Sequence, residues 1–283
     1  MREVYLNGQF LPEDQAKVSI FDRSLLFADS VYEVTSIVEG KLIDFKNHMK
    51  RLDRSMKELG FEKSLNHDEI LNFHRQLIKL NNLNEGIVYL QVTRGVFDRD
   101  FTISQKNISP TVFAFTQEKK IVESESSKKG IKVMTVDDLR WKRCDIKTTQ
   151  LLWPSLAKTE AFKKGFDDAW MMREGYIMEG TSNNAWIVRS KNVFTRQSDQ
   201  LILSGITREA VLNCAKNLGY EVIFKNFTLP EVESAAEAFI TSATSFVTPV
   251  IQINEKKIGE GEPGEFTKAL RAEYIKQAIK SSI

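Results

Sequence analysis

Two stretches of mixed strand and helix patterning flank a segment, residues 118–129, from which apolar side chains are almost absent. Lys119-Lys120, Glu123-Ser124-Glu125-Ser126-Ser127 and Lys128-Lys129 leave Ile121 and Val122 as its apolar residues. A segment of that composition has no core of its own and reads as a linker. It predicts a smaller N-terminal α/β domain over residues 1–117 and a larger C-terminal domain over residues 130–283. A chain of 283 residues has room for two such cores.

In the first part, Tyr5-Leu6-Asn7-Gly8-Gln9-Phe10 predicts a hairpin turning at Asn-Gly. Residues 31–38 read as a strand, followed by the Glu39-Gly40-Lys41 turn and a short strand over 42–45. From Asn47 the apolar spacing becomes helical: Met49, Leu52, Met56 and Leu59 share a face, and Gly60 closes the helix. A second helix is expected over 68–80, and β-rich runs over 87–93 and 111–116. Between those runs a loop over 95–110 holds Arg99. In the second part, strands are expected over 131–136, 168–172, 176–179, 185–188, 192–195, 221–224 and 238–241. Helices are expected over 155–164, 207–218 and 265–279. No single period runs through this order, so the class is α+β in two parts.

Composition removes several functions. Forty basic residues against 38 acidic give a net charge of +2, which leaves no electrostatic footprint for nucleic acid or an anionic membrane. Cys144 and Cys214 show no spacing for a disulfide framework or a zinc cluster. His48, His67 and His74 have no metal-ligand spacing, and a hydrolase triad would find few bases. Met1-Arg2-Glu3-Val4 leads into a strand-like segment without an apolar signal core, and no apolar run approaches a membrane span. The expectation is a reduced, cytoplasmic protein with no metal.

The chemistry gathers in the second half. Arg143-Cys144-Asp145-Ile146-Lys147-Thr148-Thr149-Gln150-Leu151-Leu152 places one lysine among short polar and apolar residues, with Lys142 and Arg143 upstream. Near other cations and partly out of water, a lysine's charged form is disfavoured, as Schiff-base chemistry requires. Taken alone, such a lysine is more often a solvated one after a strand. Ser204-Gly205-Ile206-Thr207 precedes a helix, and Thr241-Ser242-Ala243-Thr244-Ser245 follows a strand. Amides freed at such turns can seat a phosphate, although ordinary capping is the commoner use. Glu179-Gly180-Thr181-Ser182-Asn183-Asn184 ends a strand in a carboxylate that could hold a protonated ring nitrogen, or could be a surface glutamate at a turn. Gly259-Glu260-Gly261-Glu262-Pro263-Gly264 spells a dinucleotide fingerprint. Its two acids, its proline and the short chain beyond it argue for a plain turn. The sequons at Asn107 and Asn226 carry no weight without a secretory signal.

From Asn7-Gly8 to the last helix, the chain resembles the class IV (fold type IV) pyridoxal phosphate-dependent aminotransferases, most closely the D-amino acid (D-alanine) aminotransferases. The likeness is carried by Arg143-Cys144-Asp145-Ile146-Lys147, Ala157-Lys158 through Glu160-Ala161, Glu179 to Asn183, Gly205 to Arg208 and Thr241 to Thr244. The resemblance implies a β-barrel-like α/β C-terminal domain that binds pyridoxal 5'-phosphate, with Lys147 as the catalytic Schiff-base lysine. It implies Glu179 on the pyridine nitrogen, and Arg51, Ser182, Gly205, Ile206, Thr207 and Thr244 as further cofactor contacts. Val31-Tyr32-Glu33-Val34 resembles the D-amino acid enzymes, in which the tyrosine lines the substrate pocket. Arg99 falls on the arginine of their carboxylate trap, reached from the partner subunit of a homodimer. Phe101 stands where that trap has a histidine, Asp98 and Asp100 flank Arg99, and Ala28-Asp29-Ser30 replaces Gly-Asp-Gly. A trap short of one donor and flanked by two acids should hold a carboxylate less firmly. The implied reaction is ping-pong transamination between a D-amino acid such as D-alanine and a 2-oxo acid such as 2-oxoglutarate. An L-branched-chain aminotransferase and an aminodeoxychorismate lyase share the scaffold, and a noncatalytic phosphate-binding protein is the alternative of another kind.

Overall fold

The computed structural model describes residues 1–103 and 108–283, so Asn107 and part of the loop expected over 95–110 lie outside the described residues. It divides into two compact units. The first holds Met1–Lys120, Ile146–Gln150 and Ser281–Ile283, and the second Ile121–Asp145 and Leu151–Lys280.

The first unit is built on β1 (Glu3–Leu6), β2 (Gln9–Pro12), β3 (Ser30–Val38), β4 (Lys41–Leu42), β5 (Gly86–Thr93) and β6 (Val112–Glu118). They form an antiparallel sheet in the order β2-β1-β6-β5-β3-β4. The β1–β2 turn uses Asn7 and Gly8 at φ 48° and 93°, the left-handed geometry a two-residue hairpin requires. Three helices accompany the sheet: α1 (Arg23–Phe27), α2 (Phe45–Glu58) and α3 (His67–Leu80). α2 buries Phe45, His48, Met49, Leu52, Ser55 and Met56 along one stripe and packs on β3. α3 starts at Asn66, whose Oδ1 accepts from the amides of Asp68 (2.9 Å) and Glu69 (3.4 Å).

α3 also contains a fully buried histidine. His74 donates from Nδ1 to the carbonyl of Ile70 at 2.8 Å, and its Nε2 has no hydrogen-bond partner among the described residues. Burial pushes its pKa down to about 4. Between pH 6.5 and 4 the unfolded chain therefore binds more protons at this site than the folded one. The stability it contributes is fully present above about pH 6.5 and falls as the pH drops through that window. Denaturant unfolding at pH 7.5 and pH 5 should show the wild type losing about 2 kcal/mol more than His74→Phe. Equal losses would remove this account.

β4 covers only Ile37 and Val38 of β3, so the first half of β3 keeps an open edge. Residues Ile146–Gln150 fill it, although the sequence places 130–283 in one domain. Tyr32 N donates to Lys147 O at 3.0 Å and Thr149 N to Ser30 O at 3.2 Å, with Val31 and Thr148 bridged antiparallel.

The second unit contains α4 (Glu125–Lys129), β7 (Ile131–Asp137), α5 (Leu152–Lys163), β8 (Asp168–Arg173), β9 (Tyr176–Gly180), β10 (Asn184–Arg189) and β11 (Asn192–Thr195). There follow α6 (Ile206–Asn217), β12 (Glu221–Phe224), α7 (Leu229–Glu233), β13 (Glu237–Ser242), β14 (Phe246–Ile253), β15 (Lys256–Lys257) and α8 (Glu265–Ser281). The sheet order is β12-β11-β10-β13-β14-β7-β8-β9, with β15 on β14. Three residues join β9 to β10, and Gly180 N donates to Asn183 O at 2.8 Å. The β9 edge therefore returns to β10 and the sheet curls into a half-barrel. Trp170, Ile177, Ile187, Phe227, Ala238, Ile240, Val250 and Ile253 are among the residues of its core.

Residues 118–129 are not the bare linker their composition suggests. β6 runs to Glu118, Ile121 is fully buried, and Arg271 donates to the carbonyls of Ile121 and Val122. The Gly259–Gly264 run is a turn at φ 53° for Gly259 and 77° for Gly261. The start of α8 behind it is already capped, since Glu237 accepts from the amides of Phe266 (3.0 Å) and Thr267 (2.8 Å). Among the described residues no helix is long and apolar enough to cross a membrane.

Candidate active site

Lys147 sits in the irregular segment Ile146–Gln150, which lies along β3 through the Val31–Thr148 bridge. Its amide donates to Ser55 Oγ at 3.3 Å, and Ser30 Oγ and Thr149 Oγ1 lie 2.5 Å apart. Its Nζ lies 4.1 Å from the centroid of the Tyr32 ring, within cation–π range. Tyr32 in turn stacks on Tyr89 at 5.5 Å. The sequence suggests cations as the lysine's neighbours. Arg143, the nearer of them, instead pairs with Asp145 at 3.0 Å.

The residue after Tyr32 faces the other side of β3, as strand alternation requires. Glu33 is fully buried there and accepts from Arg51 Nε and Nη2, both at 2.8 Å, with His48 Nδ1 at 2.7 Å. Burial alone would raise its pKa. The Arg51 charge and the Arg51 and His48 hydrogen bonds outweigh that and hold it at about 2. The pair fixes Arg51 on α2, 9% exposed at its side chain.

Arg99 lies exposed in the loop after β5, with its guanidinium 5.3 Å from the ring centroids of both Phe27 and Phe101. Beside it, Asp100 Oδ1 accepts from Thr102 N (2.8 Å) and Oγ1 (2.9 Å). The loop is pinned from below by buried Arg23. This arginine donates to the carbonyls of Asp100 (2.5 Å) and Phe101 (3.3 Å) and pairs with Asp29 at 2.7 Å. Ala28, where the family's glycine stands, holds φ 53° as the C-cap of α1, a strained position for a residue with a Cβ.

In the second unit Glu179 ends β9, 4% exposed. Arg140 Nη1 lies 2.5 Å from its Oε1, Asn184 Nδ2 3.0 Å from Oε2, and Leu203 N 3.2 Å from each oxygen. The polar residues that follow divide by role. Thr181 and Asn183 are turned into buried Asp168, at 2.5 Å and 2.6 Å, and so fix the turn, while Ser182 is exposed. α6 begins at Gly205 without a side-chain cap, and the amides of Ile206 and Thr207 lack intrahelical acceptors. A Cβ on Gly205 would collide with Asn184 Oδ1. Asn184 is also the register partner of Thr241, which sets the start of α6 and the 242–245 turn at one end of the sheet. The Thr241 hydroxyl is taken by Trp186 Nε1 at 2.9 Å, while Ser242 Oγ meets Ser245 Oγ at 2.7 Å and Thr244 Oγ1 at 3.4 Å.

The amino-transferase class IV family matches residues 30–253 of this chain. The chain belongs to the class IV aminotransferases. It is 32% identical over 285 residues to a D-alanine aminotransferase of Staphylococcus aureus, covering all of both chains. It is 35% identical over 281 residues to the D-alanine aminotransferase of Bacillus licheniformis, covering 99% of this chain and 97% of that one. Among solved structures, the T.th. branched-chain amino acid aminotransferase with pyridoxamine 5'-phosphate superposes with a TM-score of 0.89 at 27% identity, covering 98% of this chain and 94% of that one. The Escherichia coli branched-chain enzyme shares the fold at the same TM-score, 0.89, and 24% identity over 98% and 94%.

Class IV aminotransferases work with pyridoxal phosphate, and this aminotransferase has groups of the right chemistry for it. An uncapped helix start backed by a glycine that admits no Cβ suits a phosphate. A buried carboxylate ringed by donors suits a cationic ring nitrogen. The aminotransferase also contains residues that sequence reasoning misses: Glu33 and His48 behind Arg51, and Arg140 and Asn184 around Glu179. Arg140 stands in plain view in Asp137-Asp138-Leu139-Arg140-Trp141, but nothing in its local spacing joins it to a carboxylate 39 positions on.

Proposed function

We propose that this aminotransferase moves an amino group between a D-amino acid such as D-alanine and a 2-oxo acid such as 2-oxoglutarate, by ping-pong transamination. The observation that carries the reading is the end-to-end likeness to D-alanine aminotransferases. The Tyr32 ring against Lys147 Nζ supports it. In this reading Lys147 is the covalent attachment point of pyridoxal 5'-phosphate, and Glu179 holds its ring nitrogen. Arg51, Gly205, Ile206, Thr207, Thr244 and Ser182 hold the remainder, chiefly the phosphate. When bound, the cofactor supplies a conjugated cationic ring that delocalises the electron pair left at the substrate Cα.

The chain's own groups do the rest. Lys147 Nζ, as the free amine, takes the proton from the substrate Cα, and its backbone, held to Tyr32 and Ser55, fixes where that nitrogen is delivered. Ionised Glu179 accepts the ring N–H and keeps the positive charge in place. The Arg99 guanidinium, lying over aromatic faces, keeps its N–H edges for an α-carboxylate, and Tyr32 lines the side-chain pocket. The partners are the amino acid and 2-oxo acid substrates and a second copy of the chain in a homodimer.

Purified enzyme incubated with 2-oxoglutarate and D-alanine should form pyruvate and show conversion of the cofactor's visible band to the amine form. L-alanine should leave that band in place. Turnover of L-leucine without D-alanine would favour the L-branched-chain reading, which the solved branched-chain relatives support. Pyruvate release from aminodeoxychorismate alone would mark a lyase. A purified protein with no borohydride-reducible visible band would point to phosphate binding without chemistry.

A further inference from the structure

Glu179 is enclosed by donors. Oε1 faces Arg140 Nη1 at 2.5 Å, Oε2 faces Asn184 Nδ2 at 3.0 Å, and Leu203 N shares both at 3.2 Å. An ionised carboxylate offers about four acceptor positions and no proton. Three donors fill three of them and leave room for one more N–H. A protonated carboxyl would bring a hydroxyl hydrogen that Arg140 and the Leu203 amide cannot accept, and that Asn184 could accept only by turning its amide over and giving up the Leu203 carbonyl. The hydrogen-bond shell therefore suits the anion, although burial outweighs those donors and raises the carboxyl's pKa above its ordinary value.

Of those three donors, one is a cation. Arg140 is itself fixed by a two-pronged contact with Asp138, Nε to Oδ1 at 2.9 Å and Nη2 to Oδ2 at 3.0 Å. Asp138 also receives Arg173 Nη2 at 3.2 Å, and Arg173 donates to the Arg140 carbonyl at 3.2 Å. The four charges alternate along the chain of contacts and cancel. Arg208 is close enough to interact electrostatically with Glu179, but its Nη1 is committed to Glu209 at 2.7 Å. Without Arg140, two buried carboxylates would share one arginine, and one of them would take up a proton.

We propose that Arg140 is a positioning residue that keeps Glu179 ionised and its last acceptor position open, so that the ring nitrogen of the bound cofactor carries a proton. The inference rests on Glu179 being the partner of that nitrogen. A neutral side chain at 140 would pass the proton to Glu179, and the ring would lose the charge that makes it an electron sink.

The test uses holoenzyme reconstituted with pyridoxal phosphate carrying 15N in the ring, its nitrogen resonance read at neutral pH. The wild type should lie in the pyridinium range. Arg140→Gln should move toward neutral pyridine, with kcat lower by about 10- to 100-fold. Arg140→Lys, which restores charge without the fork, should return toward pyridinium. If Glu179→Gln leaves the resonance unmoved, the glutamate is not the nitrogen's partner, and the site reading fails together with the proposal. If Glu179→Gln moves it and Arg140→Gln does not, the proposal alone is overturned. A lysine variant that matches the glutamine variant overturns it too. Should Arg140→Gln not fold, the infrared difference between wild type and Glu179→Gln decides. Loss of a carboxylate band supports the proposal, and loss of a carboxylic-acid band refutes it.

Discussion

Lys147→Ala protein is expected to fold, to bind no cofactor covalently, and to lose transaminase turnover by at least about 10⁴-fold. The contacts that place the segment are backbone ones, Lys147 N to Ser55 Oγ and Tyr32 N to Lys147 O, and Ala keeps both. The side chain contributes one described contact, Nζ over the Tyr32 ring, worth about 1 kcal/mol at most for a part-exposed pair. Chemistry should therefore vanish while the unfolding midpoint barely moves. Borohydride treatment followed by peptide mass analysis should find the wild-type label on Lys147 and none on the variant. Near wild-type turnover in the variant would end the assignment of this lysine.

Glu179→Gln should slow kcat by about 10²- to 10³-fold, with a smaller change in KM. The substitution keeps shape and removes charge. Its amide nitrogen would also meet a shell of donors, Arg140, Asn184 and Leu203, so one orientation sets N–H against N–H. Arg140 retains Asp138 as an anion, which spares the fold from a wholly uncompensated buried charge. Far-UV circular dichroism should match the wild type while steady-state kinetics do not. A kcat within threefold of wild type would mean that the ring's charge is held elsewhere.

Local signals in the chain are legible. Asn7-Gly8 turns the first hairpin, the apolar stripe from Met49 becomes α2, and Gly205 immediately precedes α6. Each is written in neighbouring residues, through turn chemistry, period or capping. α5 starts three residues before the expected 155, because Pro154 fits a helix's first turn and does not mark its boundary. What sequence spacing cannot give is pairing at a distance. Nothing around Ile146–Gln150 says that it joins β3 more than a hundred positions upstream, since the open edge belongs to β3. The two acids flanking Arg99 are visible in the sequence, but the Thr102 contact that holds Asp100 Oδ1 is not. Asp138 and Arg140 are near neighbours in the chain, but Arg173 and Glu179 come from β8 and β9, and only three-dimensional proximity brings them to that pair.

The short segment bearing Lys147 has a genetic consequence. The first unit is not one continuous stretch of chain, because Ile146–Gln150, which lie along β3, are encoded downstream of residues that build the second unit. A gene split near codon 120 would yield a leading fragment with Tyr32 and Arg51 but without Lys147. Supplying the trailing fragment in trans would have to restore the Val31–Thr148 bridge as well as that lysine.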